Sequence, residues 1–217
     1  MSTIVITGAN RGIGLELARA RAKDHEVVAL VREPSDALRA LGVRIEAGLD
    51  AADGASIDRV AARLEGADVL INNAGIMRRS PLHALDWDGI DAQMRVNAYA
   101  PLRLSAALAP KMSAGSKIAI VTSRMGSIGD NTSGGAYGYR MSKVAVNMAG
   151  ASLAHDLRPR GIAVAILHPG HVRTEMTGGT GPLSAAESAA MLWARIDALT
   201  LETSGTFWHA NGEVLPW

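Results

Sequence analysis

Tyr139 and Lys143 stand four residues apart in the run Tyr139-Arg140-Met141-Ser142-Lys143, a spacing that brings both side chains to one face of a helix. An ammonium beside a phenol favours the phenolate and lowers a pKa that starts at about 10, so the pair reads as a general acid usable near neutral pH. Tyr137 lacks that partner, because Met141 stands four residues beyond it. A second chemical element lies near the N-terminus, where Thr7-Gly8-Ala9-Asn10-Arg11-Gly12-Ile13-Gly14 spaces its glycines as G-x-x-x-G-x-G. Gly8 admits a tight turn, Gly12 lets backbone N–H groups approach a pyrophosphate, and Gly14 lets helix and strand pack closely. The helix that follows adds the partial positive charge of its N-terminus. Between the two elements, Ser123 closes the apolar run Ile118-Ala119-Ile120-Val121-Thr122 and offers a hydroxyl at a strand end.

These groups need a scaffold, and the apolar pattern predicts one. Thr3 to Thr7 reads as a buried strand and Leu15 to Ala22 as the helix after the glycine turn. Short apolar strands recur at Val27 to Val31, Val43 to Glu46, Val69 to Asn72, Lys117 to Thr122 and Ile162 to Leu167. Each is followed by a helical pattern or a glycine-rich turn. Strands so rich in Val, Ile and Leu need burial on both faces, which predicts an α/β fold: a Rossmann-type, doubly wound parallel sheet with helices on both sides. The longest helical patterns run from Trp87 to Met112 and from Tyr139 to Arg158. At 217 residues the chain suits one domain, residues 1–217, rather than two.

Bulk properties exclude several classes. The formal net charge is +1, and Arg78-Arg79 and Arg158 with Arg160 read as solvated faces, so no nucleic acid or membrane surface is expected as a partner. The chain has no cysteine, which removes disulfides and thiol chemistry. Its six histidines (His25, His83, His155, His168, His171, His209) show no H-x-x-x-H or H-E-x-x-H spacing, so no metal site is expected. Neither G-x-S-x-G nor a P-loop occurs. The first strand starts almost at Met1 and no apolar run nears the roughly 18 residues of a spanning helix, so the expected location is the cytoplasm.

The order T-G-x-x-x-G-x-G, then Asn72-Asn73-Ala74-Gly75, then a strand-end Ser, then Tyr-x-x-x-Lys resembles the short-chain dehydrogenase/reductase family over nearly the whole chain. The stretch Ser204 to Trp208, the end Asn211 to Trp217 and the run Tyr137-Gly138-Tyr139-Arg140 are most similar to its small carbonyl reductases of the Sniffer/C-factor type. The resemblance implies the strand order 3-2-1-4-5-6-7. It implies a dinucleotide held by Gly8, Asn10, Arg11, Gly12, Ile13 and Gly14, an adenine held by Asp50 beside Leu49, and an adenine ribose flanked by Asn73, Ala74 and Gly75. It assigns the nicotinamide carboxamide to the segment of Pro169, Gly170, Val172 and Thr174. It makes Ser123 the group that hydrogen-bonds a substrate carbonyl, Tyr139 the proton donor, Lys143 its helper and the holder of the nicotinamide ribose, and Asn97 the holder of a relay water. Plainer readings stand beside these: Asp50 as N-cap of a helix from Ala51 to Leu64, Asn73 to Gly75 as a strand-ending turn, and Ser127 as a competitor of Ser123. A substrate lid is implied at about 174–199, and Gly178, Gly179 and Gly181 predict that it is mobile. Helices at the positions of the two longest often pair subunits in the family, so a homo-oligomer is an expectation too.

The choice of cofactor turns on the end of the second strand, Leu30-Val31-Arg32-Glu33. An acid there binds a ribose 2′-hydroxyl, whereas Arg pairs with a 2′-phosphate. Arg32, with Arg11 as a second cation at the same corner, favours NADP(H); NAD(H), with Glu33 on the ribose, is the alternative. The expected activity is NADPH-dependent reduction of a small-molecule ketone or aldehyde to an alcohol. An NAD-dependent alcohol dehydrogenase of the same fold and a nucleotide-binding signalling or sensor protein without turnover are the rivals.

Overall fold

The computed structural model describes residues 1–217. The apolar runs form seven strands: β1 (Thr3–Thr7), β2 (Glu26–Val31), β3 (Arg44–Ala47), β4 (Val69–Asn72), β5 (Lys117–Val121), β6 (Ala163–His168) and β7 (Phe207–His209). All pair in parallel in one sheet of order β3-β2-β1-β4-β5-β6-β7. The order reverses between β1 and β4, so a crevice opens outside their C-terminal ends, where doubly wound sheets bind ligands.

Seven α-helices cover the sheet: α1 (Gly12–Arg21), α2 (Asp36–Arg39), α3 (Gly54–Ala62), α4 (Trp87–Met94), α5 (Ala100–Leu108), α6 (Tyr137–Leu157) and α7 (Ala185–Asp197). Alternation along each strand divides the core. Val5, Leu30, Leu70, Ile118 and Ile120 face α3, α5 and α6, whose Ile57, Leu104 and Val146 meet them. Ile4, Ile6, Ala29 and Leu167 face α1 and α7.

The pattern from Trp87 to Met112 is not one helix. Residues Arg95–Tyr99 form a π-helical turn between α4 and α5, with the Ala100 N–H donating to the Arg95 carbonyl. Pro101 enforces the irregularity, because it lacks the N–H that an α-helix would aim at the Asn97 carbonyl.

The segment expected to be a lid divides in two. Residues 185–197 are a core helix: Ala189, Leu192, Trp193 and Ile196 are buried, and Trp193 Nε1 donates to the Leu17 carbonyl at 3.1 Å. Only the short connection between β6 and α7 lies outside that packed helix. Within that connection Thr177 ties the turn together. Thr177 Oγ1 receives the Thr174 N–H at 3.1 Å and has Val172 O, at 2.7 Å, as the nearest acceptor for its one proton, and Gly179 N donates to Thr174 O at 2.8 Å. Arg158 and Arg160 likewise do more than face water: Arg160 donates to the carbonyls of Ala109 and Met112 at 2.7 and 3.0 Å, closing the end of the helix pair, and Arg158 donates to Leu201 O at 2.7 Å.

Candidate active site

The turn between β1 and α1 is built as its glycines predict. Gly8 and Gly12 have φ of 69° and 55°, in the left-handed region that favours glycine. A Cβ on Gly14 would stand 2.3 Å from the Gly8 carbonyl, so the third glycine is set by close packing. Asn10 fastens this turn to the end of β2: its amide donates to Glu33 O, and its Oδ1 accepts the Ser35 N–H at 2.9 Å. Arg32, at the end of β2, is exposed. Arg11 is not its companion in this structure; its guanidinium lies 3.1 Å from the Glu175 carboxylate, drawn to the turn after β6. An acid 164 positions away cannot be matched to Arg11 from sequence spacing.

Asp50 does not cap the helix after β3. That cap is Asp53, which accepts the N–H groups of Ala55 and Ser56, and Asp50 Oδ1 accepts the Ala52 N–H at 2.9 Å in the turn after β3. Leu49, Ala51, Ala74 and Val96 line an apolar cavity there; Ala51 and Val96 are lining residues that no motif signals. The Asn73-Ala74-Gly75 turn is held by Thr7, a further missed residue, whose buried Oγ1 receives the N–H of Asn73 at 2.9 Å and of Ala74 at 3.0 Å. Asn73 Nδ2 returns a bond to Thr7 O at 3.0 Å. The turn is thus a structural link between β1 and β4 as well as a wall of the crevice.

Downstream, α6 brings Tyr139 and Lys143 together beside Ser123. All three are buried, and Lys143 Nζ lies 5.6 Å from the centre of the Tyr139 ring. Tyr137 is 37 % exposed and Tyr139 only 7 %, which separates the two tyrosines as the lysine spacing does. The Ser127 hydroxyl, by contrast, has partners in its own turn: it accepts the Asp130 N–H and donates to the Trp217 carbonyl. One expectation reverses. Burial raises the Tyr139 phenol above its ordinary pKa, opposed only by the neighbouring Ser123 hydroxyl, and burial pushes Lys143 down to about 8. Helical spacing gives proximity, not depth, and depth governs here.

Lys143 Nζ donates to Val121 O at 3.1 Å. An ammonium carries three donors, so two more N–H groups remain beside Gly75, whose Cβ, if it had one, would lie 3.8 Å from Nζ. Asn97 lies in the π-helical turn and is buried, but its side chain is committed. Its Oδ1 accepts the Ile76 N–H at 2.8 Å, and its Nδ2 donates to Ile76 O at 2.8 Å and Ser142 Oγ at 3.0 Å. The amide nitrogen is thus fully used, while Oδ1 keeps a second lone pair. Ser142, unsignalled by the motif around it, also donates to Tyr139 O at 2.8 Å.

Beyond β6, Val172 is buried and bridges to Leu183, Gly170 has φ 88°, and the Pro169 carbonyl accepts the Ser188 hydroxyl at 2.8 Å. Thr174 reaches the glycine turn: a Cβ on Gly12 would lie 3.5 Å from its Cγ2. Ile13 is half-buried against the α1 and α7 side of the core. The segment after β6 and the glycine turn thus lie side by side.

His168, at the end of β6, packs edge-on to His209 with ring centres 4.8 Å apart. Burial, then the positive groups His209, Arg124, His171 and Lys143, push it down to about 3. Its ordinary value is about 6.5, so the unfolded chain binds a proton that the fold refuses. The stability this neutral ring permits is complete above pH 6.5 and is lost as the pH falls toward 3. His168→Gln should therefore flatten the loss of stability between pH 7 and pH 4 by on the order of 3 kcal/mol, measured by urea unfolding at each pH. Equal slopes for parent and variant would reject this account.

The model of the short chain dehydrogenase family matches residues 2–182. A 1-hydroxy-2-glutathionyl-2-methyl-3-butene dehydrogenase of Rhodococcus sp. (strain AD45) is 40% identical, covering 100% of both chains. Among solved structures, carbonyl reductase Sniffer of D. melanogaster superposes with a TM-score of 0.91 at 30% identity, covering 100% of both chains. An NADPH-bound carbonyl reductase from chicken fatty liver superposes with a TM-score of 0.90 at 31% identity, covering 100% of this chain and 99% of its own. The chain belongs to the short-chain dehydrogenase family and is an oxidoreductase of that family.

Proposed function

We propose that this protein reduces a ketone or aldehyde with NADPH, Tyr139 donating the proton. The observation that carries the reading is the buried group of Tyr139, Ser123 and Lys143 at the C-terminal edge of the sheet. A phenol raised by burial keeps its proton at neutral pH, the state an acid requires. Ser123 hydrogen-bonds the substrate oxygen and holds it beside that phenol. Lys143, charged at neutral pH with a pKa of about 8, stabilises the phenolate that forms. NADPH supplies the hydride when bound. The free N–H groups of Lys143 suit a ribose hydroxyl on one side and a water on the other. That water would rest on the Asn97 carbonyl, which Pro101 deprives of a helical donor.

The glycine turn suits a pyrophosphate because Gly8 and Gly12 hold its left-handed backbone at the N-terminus of α1, where N–H groups and the helix dipole favour an anion, and exposed Arg32 suits a 2′-phosphate. The NADPH-bound chicken carbonyl reductase supports that choice. Exposed Tyr99, Leu102, Met141 and Met148 on α5, α6 and the turn before α5 support pairing of two copies through these helices.

The Rhodococcus relative is named for the oxidative direction, in which the same groups act in reverse. The test is therefore a panel of NADPH, NADH, NADP and NAD with ketones, aldehydes and the matching alcohols. Turnover should be greatest with NADPH and a carbonyl compound. NAD-driven alcohol oxidation as the main activity, or nucleotide binding with no turnover on any substrate, would overturn the proposal.

A further inference from the structure

Tyr139 is the third residue of α6, and the backbone that delivers it is unusual. Gly134, Gly135 and Ala136 all have positive φ, 61°, 66° and 47°. Three successive left-handed residues make a short reversed turn, which two glycines tolerate and an alanine does not favour. Ala136 is buried, cannot cap the helix through its side chain, and still accepts the Arg140 N–H at 3.0 Å. Something must hold this turn.

Arg140 does so. Its Nε donates to the carbonyls of Gly134 and Gly135, both at 3.2 Å. Its Nη2 donates to Ser133 Oγ at 2.9 Å and its Nη1 to Met125 O at 3.4 Å. Met125 in turn gives its N–H to Ser123 Oγ at 3.2 Å. One planar guanidinium, whose rigid fork suits several acceptors at once, thus spans the turn before Tyr139 and the turn after Ser123.

We propose that Arg140 is a positioning residue that locks the left-handed turn Gly134–Ala136 and sets the Tyr139 phenol against the Ser123 hydroxyl. This rests on Tyr139 being the proton donor. Arg140 touches no reacting atom; it acts through the two side chains that do.

Two variants test it. Arg140→Ala removes the clamp. Gly135→Ala leaves Arg140 in place and strains only the backbone, because no atom lies within 4 Å of a Cβ at that position. Both should lower kcat about ten- to a hundredfold, the scale of a displacement near 1 Å, with NADPH affinity nearly unchanged. Added guanidinium should restore part of the Arg140→Ala rate and none of the Gly135→Ala rate. If Arg140→Ala fails to fold, Gly135→Ala carries the test alone. Parental kcat in the folded variants, or a kcat loss matched by an equal loss of NADPH affinity, would overturn the inference. Tyr139→Phe is measured alongside: if it turns over like the parent, the proton-donor reading fails, whereas an inactive Tyr139→Phe beside fully active Arg140 and Gly135 variants rejects only the positioning role.

Discussion

Tyr139→Phe should bind NADPH as the parent does and lose turnover by on the order of 10²–10⁴. The substitution keeps the ring, which is buried against α6 and its surroundings, so packing changes little. It removes the hydroxyl that stands beside Ser123. Ser123 Oγ keeps the Met125 N–H at 3.2 Å, so the loss does not strand that hydroxyl without a partner. Lys143 keeps its bond to Val121 O and, with it, the position proposed for holding a ribose. Nucleotide affinity and proton donation thus separate: fluorescence titration reads the first, and single-turnover reduction the second. Tyr137→Phe is the control, since Tyr137 is 37 % exposed and has no lysine four residues on. Equal turnover in both variants and the parent would mean that another group is the acid.

Which parts of this arrangement sequence could reveal follows from their physical range. β4 was readable as Val69 to Asn72 because a run of Val, Leu and Ile buried on both faces has few other fates. β7, only Phe207–His209, is too short for periodicity to define. Gly14 was legible because only glycine fits against the Gly8 carbonyl, and Tyr139 was separable from Tyr137 by the partner four residues on. Features that depend on depth or on distant chain were not legible. The Tyr139 phenol is raised, not lowered, because burial disfavours its charged form and only the Ser123 hydroxyl opposes the shift. The engagement of Asn97 with Ile76 and Ser142 joins three segments that share no local pattern. The core role of α7 was visible in principle, since Ala189, Leu192, Trp193 and Ile196 repeat at the spacing of one helix face.

Arg32→Ala should weaken NADPH binding about tenfold or more and leave NADH nearly untouched. The two cofactors differ only at the 2′-phosphate, and Arg32 ends the strand at which a dinucleotide fold reads that group. Its side chain has no ion-pair partner to release and is exposed. The turn does not depend on it either: Asn10 holds Glu33 and Ser35 from the glycine loop, and the Arg32 carbonyl receives the Gly48 N–H at 3.0 Å whatever the side chain. Truncation therefore subtracts a phosphate contact and little else. A charge-assisted hydrogen bond contributes roughly 1.5–3 kcal/mol, or about ten- to a hundredfold in affinity, and exposure favours the lower end. Arg11 cannot fully substitute, because Glu175 competes for its guanidinium at 3.1 Å. Arg11→Ala should accordingly cost less than Arg32→Ala, and Glu175→Gln, by freeing Arg11, should tighten NADPH slightly. Titration of the three variants with both cofactors decides the matter: an equal loss for NADPH and NADH in Arg32→Ala would assign Arg32 to the turn and return the ribose to Glu33.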